Sequence, residues 1–164
     1  MRTKRTDEEL KEMAEHVLYE IGEFRRAVCA MDGLKKTDES WNRTLESSLL
    51  HFRILRGFFI DEPKLDDVSA KDYVPTWNPK PDDIFCETKI PLDKRLAHLT
   101  WQRLPWSPGK WNLAAMKASI DRLVDLFKGA LAADQANWFS PSALTVTRGR
   151  LDTDAYSTVS WGRI

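Results

Sequence analysis

From Leu10 onward, apolar residues recur at steps of three and four. Leu10, Met13, Ala14, Val17, Leu18, Ile21, Phe24, Val28 and Met31 form one stripe, with Lys11, Glu12, Glu15 and Glu23 outside it. That spacing is the period of an α-helix with one wet face. Thr6 and Glu9 stand three apart at its start, as in a capping box, where each side chain accepts a hydrogen bond from the other residue's free backbone N–H. The pattern predicts a helix over about 6–31. Asp32-Gly33 is expected to stop it, because glycine tolerates the left-handed backbone found after many helix ends.

A second helix is predicted over about 37–60, opening at Thr37-Asp38-Glu39, whose oxygen-bearing and acidic side chains suit a positive helix end. Trp41, Leu45, Ser48, Phe52, Leu55 and Phe59 fall on one side and Leu50, Ile54 and Phe58 toward another, leaving Asn42, Glu46 and Arg53 as the plainly polar sector. So broadly apolar a helix is expected at the centre of a bundle, against several neighbours. Gly57 within it lowers helix stability by about 1 kcal/mol relative to alanine, which close approach of another helix there would offset.

Residues 61–83, with Pro63, Pro75, Pro79 and Pro81, read as a connection. It is long for a bare loop, so short helices are expected at about 67–73 and 82–88. Pro91 fits the first position of a further helix over about 91–104, and Pro105 to Gly109 form a turn. The last strong helix, about 111–133, aligns Leu113, Met116, Ile120, Leu123, Val124, Phe127 and Leu131. Beyond Asn137 the period is lost, and the residues fit either a small hairpin or an extended tail. The expected fold is all-α, one domain over 1–164: a four-helix bundle (6–133) with a short helical insert and an irregular or β-hairpin C-terminal segment (134–164).

Composition narrows the function classes. Lys+Arg and Asp+Glu are both 25 among 164 residues, so no global basic field draws in nucleic acid. Charge is nevertheless blocked. Residues 61–83 hold seven carboxylates against three lysines, a net of −4, while 89–110 hold five cations against Asp93, a net of +4. These neighbouring blocks are expected to neutralise one another on the surface. Cys29 and Cys86 show no metal-ligand spacing and read as reduced thiols. The basic start Met1 to Thr6 runs into Asp7-Glu8-Glu9 rather than an apolar stretch, so no secretory signal is expected. No run approaches the roughly 18 apolar residues of a membrane span, and a cytoplasmic protein without a membrane partner is expected.

The three histidines, His16, His51 and His98, fall on three predicted helices, which is how bundles build metal sites. His16, however, projects about 120° from the apolar stripe and faces water, so neither a metal nor another cofactor is expected. His51 lies between the apolar sides of the second helix. It is either a core histidine bonded to Ser47 or Thr44, or it meets His98 as an acid/base pair beside Arg53, Arg56 and Arg95, a pocket for phosphate or carboxylate. Arg56, on an otherwise apolar side, needs either an acidic partner among the aspartates of 61–72 or a ligand. Trp101, Trp106 and Trp111 near Lys94, Arg95, Arg103 and Lys110 either fill interhelix gaps or stack nucleobases. No nucleophile elbow or phosphate loop occurs.

The segments Leu49-Leu50-His51-Phe52-Arg53 and Arg95-Leu96-Ala97-His98-Leu99-Thr100, with Asp66 to Tyr73 between them, are similar to a group of small bacterial helical proteins. More distantly, the arrangement resembles the HEPN superfamily of helical bundles, over about residues 40–130. The resemblance implies a helical bundle, a homodimer and a connection with RNA, since many members dimerise and cleave RNA. HEPN ribonucleases use an arginine followed by four to six residues and a histidine. Here Arg95 precedes His98 by three positions and Arg43 precedes His51 by eight. The expected role is therefore a non-catalytic binding or assembly module, with an enzyme acting on RNA or a nucleotide through His51 and His98 as the alternative.

Overall fold

The computed structural model describes residues 4–96 and 111–140, with the backbone alone for Arg95 and Leu96. It is all-α: α1 Asp7–Met31, α2 Ser40–Phe59, α3 Ala70–Tyr73, α4 Asp83–Ile90 running on into a π-helical segment Pro91–Leu96, α5 Leu113–Ala130 and α6 Ala133–Trp138. Helices α1 and α2 pack against each other as a pair, α5 lies against both, α4 packs on α5, and the π segment packs on α2. The composite of α4 and the π segment thus takes the fourth position of the bundle.

The ends of α1 show how far local sequence reaches. Thr6 N donates to Glu9 Oε2 (2.9 Å) and Glu9 N to Thr6 Oγ1 (3.2 Å), the expected capping box. The exit differs from expectation, because no described residue has a positive φ. The chain instead tightens through Asp32 N to Cys29 O, Gly33 N to Ala30 O and Leu34 N to Met31 O, so three-residue turns satisfy the last carbonyls without a left-handed glycine. The start of α2 also departs: Glu39 caps it without a side-chain bond. Asp38 serves the preceding turn, its carboxylate accepting from Lys35 N at 2.7 Å.

Pro91 continues a helix rather than opening one. It sits in the α region at the end of α4. Having no N–H and crowding the preceding turn, proline breaks the ordinary bond pattern, and the wider π turn that follows accommodates it. Leu92 is thereby buried in the core. The expected helix to 104 and the turn at 105–109 lie outside the described residues after Leu96, as do residues 141–164, where the hairpin or tail was expected. The last long helix ends at Ala130 rather than near 133, since Leu131 turns extended (φ −67°, ψ 146°) before α6.

The core is a single cluster in which α1 contributes Leu10, Ala14, Val17, Leu18, Ile21, Phe24 and Val28, and α5 contributes Met116, Ile120, Leu123, Val124 and Phe127. Two buried donors are matched to backbone acceptors: Tyr73 Oη donates to Leu10 O (2.9 Å) and Trp77 Nε1 to Phe59 O (2.8 Å). The second bond satisfies a carbonyl at the end of α2 that has no intrahelical donor. Residue Phe139, in the segment read as an extension, is buried against Phe127 and Tyr73 with ring centroids 5.1 and 5.2 Å away.

Helix α2 is less enclosed than its composition implied. Ser48, Leu49, Phe52, Leu55, Arg56, Phe58 and Phe59 are buried, but Leu50 is 48 % and Ile54 40 % exposed. On the side expected to hold Leu50, Ile54 and Phe58, the first two therefore face outward while Phe58 is buried. Among the described residues no helix comes close to Gly57, as a Cβ built there finds nothing within 4 Å. Alanine at this helical position should accordingly stabilise the fold by about 0.5–1 kcal/mol. The check is the urea midpoint of Gly57→Ala, expected to rise with an unchanged m-value.

Candidate functional site

Arginine 56 is the most buried charged residue described, at 3 % exposure. Its position on α2 points it inward, beside Leu55 and Phe59, so its charge has to be matched inside the fold. Nε donates to Asp61 Oδ2 (3.0 Å), and Nη2 donates to both oxygens of Asp93 at 3.1 Å. Arg53 Nε reaches Asp93 Oδ1 at 2.8 Å, and Lys89 Nζ reaches Asp61 Oδ1 at 3.1 Å. Five charged side chains thus tie α2, the chain just after it, α4 and the π segment together. Among the described residues, the buried Arg56 Nη1 has no hydrogen-bond partner.

The candidate ligand-binding arginines Arg53 and Arg56 are therefore turned to acidic partners within the chain. One of those partners, Asp61, was among the aspartates expected from the sequence. The other, Asp93, was read only as a lone acid in a basic block. Burial alone would raise the Asp93 carboxyl, but the hydrogen bonds and charges of Arg53 and Arg56 outweigh it and hold the group below its usual range. The expected neutralisation of the two charge blocks is realised in Lys89–Asp61, whereas Asp82 pairs with Arg122 of α5, bidentate at 2.9 and 3.1 Å. The side chain of Arg95, and all of His98, lie outside the described residues.

His51 bonds neither Ser47 nor Thr44. Its Nδ1 lies 2.6 Å from Glu20 Oε2 of α1, and Tyr19 packs edge-on against its ring, with centroids 6.2 Å apart. The nearby hydroxyls bond back along α2 instead, Thr44 Oγ1 donating to Ser40 O and Ser48 Oγ to Thr44 O, both at 2.9 Å. A signal for Glu20 existed in the sequence, since it follows Val17 by three and precedes Phe24 by four. That spacing puts its carboxylate at the edge of the apolar stripe.

Beside this pair runs a groove of about 480 Å³ between α1 and α2, floored by Val17, Leu55 and Phe58 and edged by Met13, Ile54 and Val68, with His16, Glu20 and Asp66 as its polar groups. Of the large hydrophobic side chains that stand exposed, Ile54 lines it and Leu50 lies one turn away on the same helix. Tyr19 and Leu65 adjoin Glu20 and Asp66 in sequence at 51 % and 68 % exposure. His16 is exposed, as its angle on α1 predicted. Cys29 and Cys86 are free and exposed. Among the described residues, no three His, Cys, Asp or Glu side chains are grouped to hold a metal ion, and no helix is long and apolar enough to cross a membrane.

Comparison with known proteins returned no matching family model, no matching curated protein and no matching solved structure.

Proposed function

We propose that the chain works as a non-catalytic helical binding module that takes its partner on the α1/α2 face. The observation that carries this reading is the largely apolar groove, with Ile54 in its wall and Leu50 and Tyr19 exposed nearby. Contiguous exposed apolar surface of this kind marks interaction sites, and a volume near 480 Å³ falls in the range of ligand clefts. Assembly of two copies on this face is the homodimeric form of the same reading. An enzyme acting on RNA or a nucleotide is the second reading, supported by the carboxylate-bonded imidazole of His51, an arrangement that orients a general base. It ranks behind the first because His51 does not line the groove and Arg53 and Arg56 already hold carboxylates.

A titration of the full chain with the apolar dye bis-ANS tests the first reading. Saturable binding at about one dye per chain is expected, weakened about tenfold in Ile54→Arg, whose exposed position leaves the fold intact. Absence of saturable binding, or equal binding by the variant, rejects the groove. RNA oligonucleotides incubated with the protein should remain intact, and cleavage that disappears in His51→Gln would put the enzyme first.

A further inference from the structure

The charge around the groove says what kind of partner fits it. Among the described residues, no lysine or arginine lines it. Its ionisable groups are His16, Glu20 and Asp66, and Asp66 is exposed with no ion-pair partner among the described residues. Glu20 gives one oxygen to His51 and keeps the other. Glu12, four residues before His16 on the same ridge of α1, is exposed and likewise unpaired among the described residues. The groove is thus an apolar trough with carboxylates on both walls, one from α1 and one from the segment between α2 and α3.

We propose that this groove docks a cationic amphipathic helix of a partner protein, an inference that rests on the binding reading above. Apolar side chains at helical spacing would seat over Val17, Leu55 and Phe58, as in helix-in-groove recognition, and lysines or arginines flanking them would meet Glu20 and Asp66. The same charges disfavour the other occupants. A second copy docked through this face about a two-fold axis brings an identical acidic rim. Nucleic acid brings a dense row of phosphates.

The test is fluorescence anisotropy of the full chain with two labelled synthetic helices of about four turns, sharing one leucine face and carrying lysines or glutamates on the other. The Leu/Lys helix is expected to bind at least about tenfold more tightly than the Leu/Glu helix, and to weaken with salt. Ile54→Arg should abolish its binding. Asp66→Lys, at an exposed position, should lower affinity about tenfold with an unchanged circular dichroism spectrum. Equal affinity for the two helices, unaffected by Asp66→Lys, overturns the cationic partner and leaves the groove reading standing. Failure of both helices while bis-ANS still binds does the same. Failure of both helices and the dye overturns the groove itself. A dimer in sedimentation velocity that Ile54→Arg dissociates also overturns the proposal, because a second copy then fills the face.

Discussion

Phe127→Ala is expected to lower unfolding free energy by about 4 kcal/mol, the larger of the two strongest effects anticipated for this chain. The ring is buried near the end of α5 and meets five others: Phe58, Phe59, Tyr73, Trp77 and Phe139, at centroid distances of 5.5, 5.8, 5.9, 5.6 and 5.1 Å. Four of these contacts are close to perpendicular, with interplanar angles of 82°, 89°, 88° and 89° to Phe58, Tyr73, Trp77 and Phe139. In that edge-to-face geometry a positive ring edge faces a negative ring face. Removing the hub leaves a cavity bounded by α2, α3, Phe139 just after α6 and the segment carrying Trp77, and elements this rigid cannot all collapse into it. Against a total of about 5–15 kcal/mol for a domain, the variant should be marginal. Phe127→Leu should lose clearly less, because volume is partly kept. The adjacent Leu126, half exposed, should change stability by no more than about 0.5 kcal/mol when made alanine. Urea unfolding of the three variants checks the order.

Asp93→Ala should cost about 3 kcal/mol, because it removes the two-oxygen acceptor of a buried guanidinium. Arg56 keeps Asp61, but its Nη2 joins Nη1 as a buried donor without a partner among the described residues. Arg56→Met should cost less. Asp93 then retains Arg53, Asp61 retains Lys89, both carboxylates reach water, and methionine fills the apolar site. The inequality is the informative result, and equal losses would mean that the pair acts by packing rather than by charge. The pH dependence follows from the lowered Asp93 carboxyl. A carboxyl whose folded value lies below its unfolded value, about 3.9, contributes stability that is full above the unfolded value and is lost as pH falls through the folded one. The deficit of Asp93→Ala should therefore be constant near neutral pH and shrink below about pH 4, as measured by unfolding across that range.

Much of the fold is readable in the sequence. The Thr6–Glu9 box, the α1 stripe and the α5 stripe are local or periodic properties, fixed by residues three and four apart. Where expectation failed, the cause was a contact or conformation that spacing does not encode. Gly33 stands where a left-handed exit was expected, yet tight turns end α1 first. Gly57 was expected against another helix and meets none among the described residues. Pro91 was expected to begin a helix and instead sits where α4 passes into a π turn.

The site was legible only in part. His51 and Arg56 stood out as polar groups in apolar arcs, and the need for a partner followed from the cost of burying them. Which partners they found did not follow, since Glu20 and Asp93 lie 31 and 37 positions away in the chain. The sequence by itself determined the all-α class, the buried faces of α1 and α5 and which polar residues required compensation, because helix period and desolvation act residue by residue. Only the tertiary structure decided that α2 leaves Leu50 and Ile54 outside, that Arg56 joins Asp61 and Asp93, and that an acid-edged groove runs beside the His51–Glu20 pair. Those outcomes depend on how the helices are set against one another, and one helix's periodicity carries no information about its neighbour's register.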